Sequence, residues 1–346
     1  MTRREFLKQA AATSTVAAAL QAGNLSAAEE AVRQVRKIAG LKHYIVNVRD
    51  YGVKGDGLTD DSPAIQEMFV RVKRELGFHV TYFFPAGRYL ISQQLRYAQS
   101  TKWGDKVDLN YIDQWIGQGP TLTQFVLKSR APGYDDPEKP KFVFSMGGLD
   151  GECFGTIADG FAVLANEDGT NPGSVALVFQ MHFGVSRNLI ASGGHTCYLC
   201  EAWGSFAEVE NLTCVGGQYG LIVRTGGYSY HQVRCTGFTR AGVMMAGGNA
   251  TLTICNLFTR GSGPGVKVAE NCVSVVGARC EADPAGQEAA VIDRPGSSSF
   301  VNLVTSGYTQ MVQGEVPAAA GAASALSFYS GRNFKMPQTV AGGGVP

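Results

Sequence analysis

The sequence predicts an all-β fold, a parallel β-helix built from coils of about 23 residues, and two observations support this. The first is a repeat in which polar residues recur at spacings of 23, 23, 22, 23 and 23 residues. These residues are Asn188, Asn211, Arg234, Asn256, Arg279 and Asn302. The residue after each is apolar, which predicts an interior row formed by Leu189, Leu212, Cys235, Leu257, Cys280 and Leu303.

The second observation is the composition of one repeat. Each repeat is rich in glycine, alternates apolar and polar residues in short runs and contains no helical stretch. Strands that rise about 3.3 Å per residue divide such a repeat into three short strands and three bends. Asparagine suits a tight bend because it tolerates the left-handed conformation. The rival solenoid is a leucine-rich repeat, but its leucine spacing is absent.

Composition limits the classes of partner. The 346 residues are 45% hydrophobic, which is enough for a large core, and the net charge is +1. This near-neutral balance argues against nucleic acid or an anionic membrane as a partner. No stretch approaches the roughly 18 apolar residues that a membrane span needs. The 44 glycines follow no collagen period and fit a fold with many tight bends.

The N-terminus carries features of a targeting signal. The segment Thr2–Lys8 (TRREFLK) resembles the twin-arginine export motif. It is followed by the weakly apolar Ala10–Leu20 and by a small-residue cleavage site at Ser26–Ala28. The alternative is an ordinary amphipathic N-terminus. The resemblance implies a signal peptide over 1–28, the Tat translocase as a partner during export, and a periplasmic or secreted protein, with 29–44 as a linker.

The next elements follow from local patterns. Ile45–Val48 alternates as a strand does and runs into a loop that is rich in glycine and aspartate. Ser62 can cap a helix, which Pro63 opens, and the apolar residues up to Leu76 recur on one helical face. Val80–Phe84 is predicted as a strand, and a second strand follows the Pro-Ala-Gly turn.

Two motifs carry a family resemblance. The segments VRDYGVKGDGLTDDSPAIQEMF (48–69) and YFFPAGRYLIS (82–92) resemble the opening of the pectate-lyase-like superfamily domain of the rhamnogalacturonase and pectate lyase 3 type. Hydrolases, lyases, epimerases and phage tailspikes share this opening. The resemblance implies a single-stranded, right-handed parallel β-helix over 45–316 that acts on carbohydrate. The helix Ser62–Leu76 would cover its N-terminal end, and 317–346 would hold one further strand and a flexible tail.

Several residue sets have a structural and a functional interpretation. Asp56, Asp60 and Asp61 either form a carboxylate or cation site or, as we prefer, brace the glycine-rich loop. Trp103 and Trp115 either stack on sugar rings or pack under a loop.

The eight cysteines allow two interpretations. They are Cys153, Cys197, Cys200, Cys214, Cys235, Cys255, Cys272 and Cys280. Cys197 and Cys200 have the spacing of a zinc or redox pair, but no second pair matches them, and they fall inside a predicted strand. We therefore favour core thiols and predict no metal and no cofactor.

The candidate site follows from the resemblance and from alternation along the strands. In the enzymes that this opening resembles, the substrate groove follows the sheet formed after the longer bend. If Tyr198 and Cys200 point inward, then Glu201 points outward, and one coil later Arg224 does so beside it. Lys267 points outward two coils further along the chain.

These residues suggest roles. Glu201 would be a general acid or base, and Arg224 would neutralise the carboxylate of an acidic sugar. His195 would assist catalysis, whereas Trp203 and Tyr228, together with Lys267, would bind substrate. The alternative is a surface ion pair between Glu201 and Arg224 that contributes about 0–1 kcal/mol.

The sequence thus favours an exported protein that cleaves a polysaccharide by hydrolysis or β-elimination. It lacks the paired aspartates of polygalacturonase-type hydrolases, and the acidic calcium cluster of pectate lyases is not recognisable. Two alternatives remain, a non-catalytic glycan-binding surface protein and a structural subunit of a homo-oligomer.

Overall fold

A computed structural model describes residues 43–76, 80–97, 113–146, 153–154, 156–179, 181–182, 184–200, 207–224, 227–246, 251–269, 272–293 and 299–314. In these segments the strands pair in parallel and form two long sheets and a short one. The repeat therefore winds into stacked coils, each of which contributes strands to both long sheets. This is the parallel β-helix that the sequence predicts.

The larger sheet holds thirteen of the described strands. They are β1 (Tyr44–Asn47), β2 (Asp56–Asp60), β3 (Val80–Phe84), β4 (Gly87–Ile91), β6 (Gln114–Gly117), β7 (Thr123–Leu127), β10 (Ile157–Leu164), β13 (Val185–Ser192), β15 (Ala207–Val215), β17 (Gly227–Phe238), β19 (Thr251–Gly261), β21 (Cys272–Ala282) and β23 (Ser299–Ser306). The smaller sheet holds nine. They are β5 (Leu95–Tyr97), β8 (Lys141–Met146), β11 (Ser174–Phe179), β14 (Thr196–Cys200), β16 (Tyr219–Val223), β18 (Ala241–Met245), β20 (Val266–Val268), β22 (Gln287–Asp293) and β24 (Tyr308–Gly314). The short sheet pairs β9 (Cys153–Phe154) with β12 (Met181–His182).

The long strands of the larger sheet bend at residues with a positive φ, and these residues stack in register. The bend column contains Asn188, Asn211, Gln232, Asn256, Gly277 and Asn302. The placement of Arg234 and Arg279 in this column was therefore wrong. Arg234 lies beside Thr213 and Phe258, two residues past the bend, and its guanidinium sits 5.0 Å from the Phe258 ring centre. Gln232 and Gly277 supply the bend instead.

Side-chain amides connect neighbouring coils at the bend. Asn211 Nδ2 donates to Asn188 Oδ1 at 2.9 Å, and Asn188 Nδ2 donates to Asp159 Oδ1 at 3.0 Å. The fully buried Asp159 carboxylate also accepts from Arg187 Nε at 2.5 Å. A buried carboxylate is costly unless it is paired, so this ion pair and the amide satisfy Asp159.

The interior rows correct a second prediction. The row behind the bend is Leu189, Leu212, Val233, Leu257, Ala278 and Leu303, and all six residues are buried. Cys235 and Cys280 do not lie in it, because the bend precedes them by three residues rather than one. They stack with Cys214 and Thr259 in the next inward row.

The cysteines in the described core are buried thiols, as predicted. Cys197, Cys200, Cys214, Cys235 and Cys280 are all buried thiols and do not form disulfides with one another. Burial raises the pKa of Cys280 to about 11, which keeps it protonated at neutral pH. The described residues contain no group of three or more His, Cys, Asp or Glu side chains that could hold a metal ion.

The N-terminal helix α1 spans Ser62–Leu76, as predicted. Its apolar face (Ile65, Met68, Phe69, Val72) joins the main core, and the Phe69 ring packs edge-on against Tyr82 at 5.1 Å. Trp115 is fully buried and stacks on Tyr82 at 6.2 Å, so it is a core residue and not a sugar platform. Trp103 lies outside the described residues.

The aspartates before α1 brace the loop. Asp61 accepts from the backbone N–H groups of Lys54 and Gly55 at 2.6 and 2.9 Å. Asp60 accepts from the Ser62 backbone N–H and from the Ser92 hydroxyl. Asp56 accepts from Leu58 and Thr59. These hydrogen bonds are the local side-chain to backbone contacts that shape loops, and they agree with the structural interpretation.

Candidate functional site

The outer face of the smaller sheet is apolar and closed at its middle. One outward row contains Val178, Leu199, Ile222, Met244, Lys267 and Ile292. Together with Val175 and their neighbours, Leu199 and Ile222 form an apolar cluster separate from the core. They are only 9% and 5% exposed. A polysaccharide therefore cannot reach the sheet at these two residues.

The structure places part of the predicted site. The Arg224 backbone N–H donates to the Cys200 carbonyl at 2.9 Å, so Arg224 follows β16 at the level of the residue after Cys200. That residue is Glu201, and both Glu201 and Trp203 lie outside the described residues. The pair of Glu201 and Arg224 therefore stays a prediction.

The two other predicted binding residues lie apart from each other. Lys267 is half-buried in β20, between Met244 and Ile292 in the outward row. Tyr228 lies at the start of β17 in the larger sheet, where it pairs with Ala207 and Leu252. Its backbone therefore belongs to the other sheet and not to the face that carries Lys267.

His195 lies at the corner where the chain enters the smaller sheet. Its Nδ1 is 2.8 Å from the Thr196 hydroxyl, and its ring centre is 5.5 Å from that of Tyr219 on the next coil. The hydrogen bond at Nδ1 leaves Nε2 as the nitrogen that can meet a substrate. Tyr219 provides an aromatic wall beside it.

Backbone contacts leave this corner little freedom. The His195 N–H donates to the Ser174 carbonyl at 2.9 Å, and the Gly194 N–H donates to the Ser174 hydroxyl at 2.8 Å. A Cβ on Gly194 would lie 2.3 Å from the Asn171 carbonyl oxygen, so only glycine fits there. The preceding coil thus fixes the position of His195.

Two arginines act on the charge of His195. Burial lowers the pKa of His195, and the positive charges of Arg240 and Arg224 lower it further, while Glu138 opposes them. The imidazole is therefore neutral at pH 7. A hydrogen bond to Tyr219 raises the pKa of Arg240, and Glu138 contributes to this as well. We term His195, Tyr219, Arg224, Arg240 and Glu138 the corner cluster; Arg224 follows the opposite end of β16 and is included for the effect of its charge on the ring.

The corner cluster combines a neutral base with cations. A neutral imidazole can accept a proton, and a guanidinium binds a carboxylate with paired, charge-assisted hydrogen bonds. The arrangement suits removal of a proton next to a carboxylate.

Sequence reasoning found His195 and Arg224 but missed Tyr219, Arg240 and Glu138. It counted forward from the polar repeat into the strands and did not apply the period to the residues just before them. The backbone N–H of Gln218 contacts the His195 carbonyl, and that of Arg240 contacts the Gln218 carbonyl. His195, Gln218 and Arg240 therefore form a column of their own, at spacings of 23 and 22 residues. Applying the same period to His195 would have revealed Arg240.

Comparison with known proteins confirms the resemblance at the N-terminal part of the chain. Residues 45–117 match the family described as "Rhamnogalacturonase A/epimerase, pectate lyase-like". No curated protein matches the sequence.

Solved structures show the same fold at low identity. The ORF18 protein of Geobacillus virus E2 aligns over 85% of this chain and 63% of its own, with 12% identity and a TM-score of 0.51. The phiAB6 tailspike, solved with oligosaccharides of Acinetobacter baumannii surface polysaccharide, aligns over 78% and 47%, with 13% identity and a TM-score of 0.55. Tailspike protein 2 of an Escherichia coli O157:H7 bacteriophage aligns over 79% and 41%, with 10% identity and a TM-score of 0.50.

These likenesses establish the right-handed parallel β-helix fold. The chain spans less than two thirds of the length of these structures. No helix among the described residues is both long and apolar enough to cross a membrane.

Proposed function

We propose that the protein is an exported carbohydrate-active enzyme that cleaves an acidic polysaccharide by β-elimination at the corner cluster. The observation that carries the proposal is His195 at this corner, with Nδ1 bound to Thr196 and the ring against Tyr219, where the charges of Arg240 and Arg224 favour the neutral imidazole. The match of residues 45–117 to a pectate-lyase-like family and the fold shared with a tailspike solved with oligosaccharides support the carbohydrate class.

The proposed step uses groups that the corner cluster supplies. His195 Nε2 removes the proton on the carbon next to the sugar carboxylate, while the guanidinium groups stabilise the negative charge that develops on that carboxylate. The glycosidic C–O bond then breaks, and a carbon–carbon double bond forms. The departing oxygen takes a proton from water or from a protonated acid. Glu201, the predicted acid or base, would serve here.

A hydrolase would leave a different product. Hydrolysis commonly uses two carboxyl groups about 5–9.5 Å apart, and Glu138 is the carboxylate that acts on His195 in the described part of the corner. Hydrolysis would therefore require Glu201 as the second carboxyl group. It would produce reducing ends without the double bond.

The test is incubation of the purified protein with acidic and neutral polysaccharides, following both reducing ends and the absorbance of unsaturated products. We expect unsaturated products from an acidic substrate only. His195→Ala should lower kcat/KM by roughly 100-fold or more, as loss of a general base does. His231→Ala, a half-exposed histidine of the larger sheet, is the matched control.

Two results would contradict the proposal. Unchanged activity in His195→Ala would remove this residue from the mechanism. Glycan binding without product would favour the alternative of a non-catalytic glycan-binding surface protein. Export is tested separately in the expressing cells, where Arg3→Lys with Arg4→Lys should retain the protein inside the cell.

A further inference from the structure

A concave feature lies on the same edge of the β-helix as the corner cluster and contains none of the cluster's residues. A cavity of about 250 Å³ opens where β17 and β19 end. Its lining comes from the last residues of β17 and β19 with the residue after each, Thr236–Thr239 and Arg260–Ser262, and from Asp283.

The chain bulges beside the cavity at Gly237. The register of β17 against β19 shifts between Thr236 and Phe238, and Gly237 there has a φ of +72°. On the next coil, a Cβ on Gly261 would lie 2.8 Å from the Phe238 ring. The Phe238 ring therefore packs directly on Gly261, and both residues contribute to the lining of the cavity.

An ion pair lies at the mouth of the cavity. Arg260 Nε and Nη2 both contact Asp283 Oδ2, at 3.0 and 2.9 Å, and each side chain is 55% exposed. The second carboxylate oxygen, Oδ1, takes no part in these contacts and can accept from a ligand. The charges of the pair cancel, unlike the net positive charge at His195, Arg224 and Arg240.

We propose that this cavity binds one neutral sugar ring of the polysaccharide. A sugar presents adjacent hydroxyl groups that donate to a carboxylate and accept from a guanidinium, and such charge-assisted hydrogen bonds are strong. The hydroxyls of Thr236 and Thr239 add further polar partners. The volume lies below the roughly 300–1,000 Å³ of sites for drug-sized ligands, so it fits a single ring. A sugar carboxylate would have to compete with Asp283 for Arg260, which disfavours it.

The position of the cavity beside the corner cluster indicates a class of substrate. Thr239 immediately precedes Arg240 of the corner cluster, and successive coils are spaced about 4.8 Å apart. A chain running along this edge would pass from the cationic corner to the neutral cavity. This inference rests on the proposed function and adds that the substrate contains both acidic and neutral sugars.

The test measures binding of single sugars to the full chain by ligand-observed NMR. The probes are methyl α-D-galactoside, methyl α-D-mannoside and methyl α-L-rhamnoside, with D-galacturonate as the charged comparison. We expect at least one neutral glycoside to bind at about millimolar affinity and galacturonate to bind more weakly. Thr239→Trp, which fills the mouth, and Asp283→Asn should each weaken binding by about tenfold or more. Thr121→Trp, at another exposed threonine, should leave it unchanged.

Each outcome decides the proposal. Absence of saturable binding by any neutral glycoside, or equal binding by wild type and Thr239→Trp, would overturn it. Because the measurement needs no turnover, its result does not depend on whether the protein cleaves a polysaccharide. If the protein cleaves no polysaccharide but binds a neutral glycoside in a way that Thr239→Trp weakens, the proposed binding site is supported and the proposed enzyme activity is contradicted.

Discussion

At the scale of single residues, the protonation of His195 is set by what surrounds it. Its pKa in the folded protein lies below the ordinary value of about 6.5 because burial and two arginines disfavour the charged ring. The unfolded chain therefore binds the proton more readily. The contribution of His195 to stability is complete above pH 6.5 and is lost as the pH falls through the lower, folded value.

Arg240→Gln should raise the pKa of His195 toward 6.5. The substitution removes one positive charge, while the burial that is the larger cause remains, so the rise should be partial. NMR titration of the imidazole C–H signals measures this without any substrate. Arg279→Gln, on the other sheet, should leave the titration unchanged. A pKa that stays constant or falls in Arg240→Gln would show that the charge of Arg240 does not reach the ring.

The residue scale also shows what the sequence could and could not predict. Asn188 and Asn211 were placed correctly because asparagine is a recognisable residue at a left-handed bend. Gln232 and Gly277 adopt the same conformation, but a search for a repeated polar residue passes over them. Arg234 and Arg279 were chosen instead, two residues too late. The residue type of Gly277 was the available signal, because glycine adopts a positive φ without steric cost.

At the scale of elements, α1 is the part of the fold that local patterns predict best. Its buried face follows from apolar residues at helical spacing, and Pro63 in the first turn marks its start. The prediction that Ser62 caps the helix was wrong, because the Asp61 carbonyl accepts the first helical bond from Ile65 and the Ser62 hydroxyl accepts from the Ser92 N–H. The strands of the smaller sheet were harder to align. Corners of different length precede them, and successive bends are 23, 21, 24, 21 and 25 residues apart. A uniform period therefore loses register within a coil or two.

Phe69→Ala tests whether α1 contributes to the core or only covers it. Phe69 is buried and contacts Tyr82, so we expect the free energy of unfolding to fall by about 3–5 kcal/mol. Val70→Ala, at the next residue of the helix and 60% exposed, should change it by no more than about 0.5 kcal/mol. Chemical denaturation followed by circular dichroism measures both variants. Equal, small effects would mean that α1 does not pack on the first coil in solution.

At the scale of the whole molecule, the β-helix is a stack in which each coil contacts its neighbours. Its average period is the same whether taken from the predicted or the observed bends, because both series begin at Asn188 and end at Asn302. A residue assigned to the wrong column therefore does not change the predicted fold class. The candidate site does not, because a shift of one or two residues changes which side chains face each other. This explains why the fold was predictable while Tyr219 and Arg240 were missed.

Deletion of one complete coil tests this picture directly. Gln232 and Asn256 occupy neighbouring places in the bend column, so removing residues 233–256 joins Gln232 to Leu257 and preserves the column. In a stack governed by nearest-neighbour contacts, the shortened protein should retain its β-sheet signal and a cooperative thermal transition at a lower temperature. Removing only residues 233–244 deletes half a coil. Strands of one sheet then fall at the positions of the other sheet, so this deletion should abolish the cooperative transition. Circular dichroism during heating distinguishes the two. If both deletions lose the sheet signal equally, the coils are not interchangeable units, and stability depends on contacts beyond the adjacent coil.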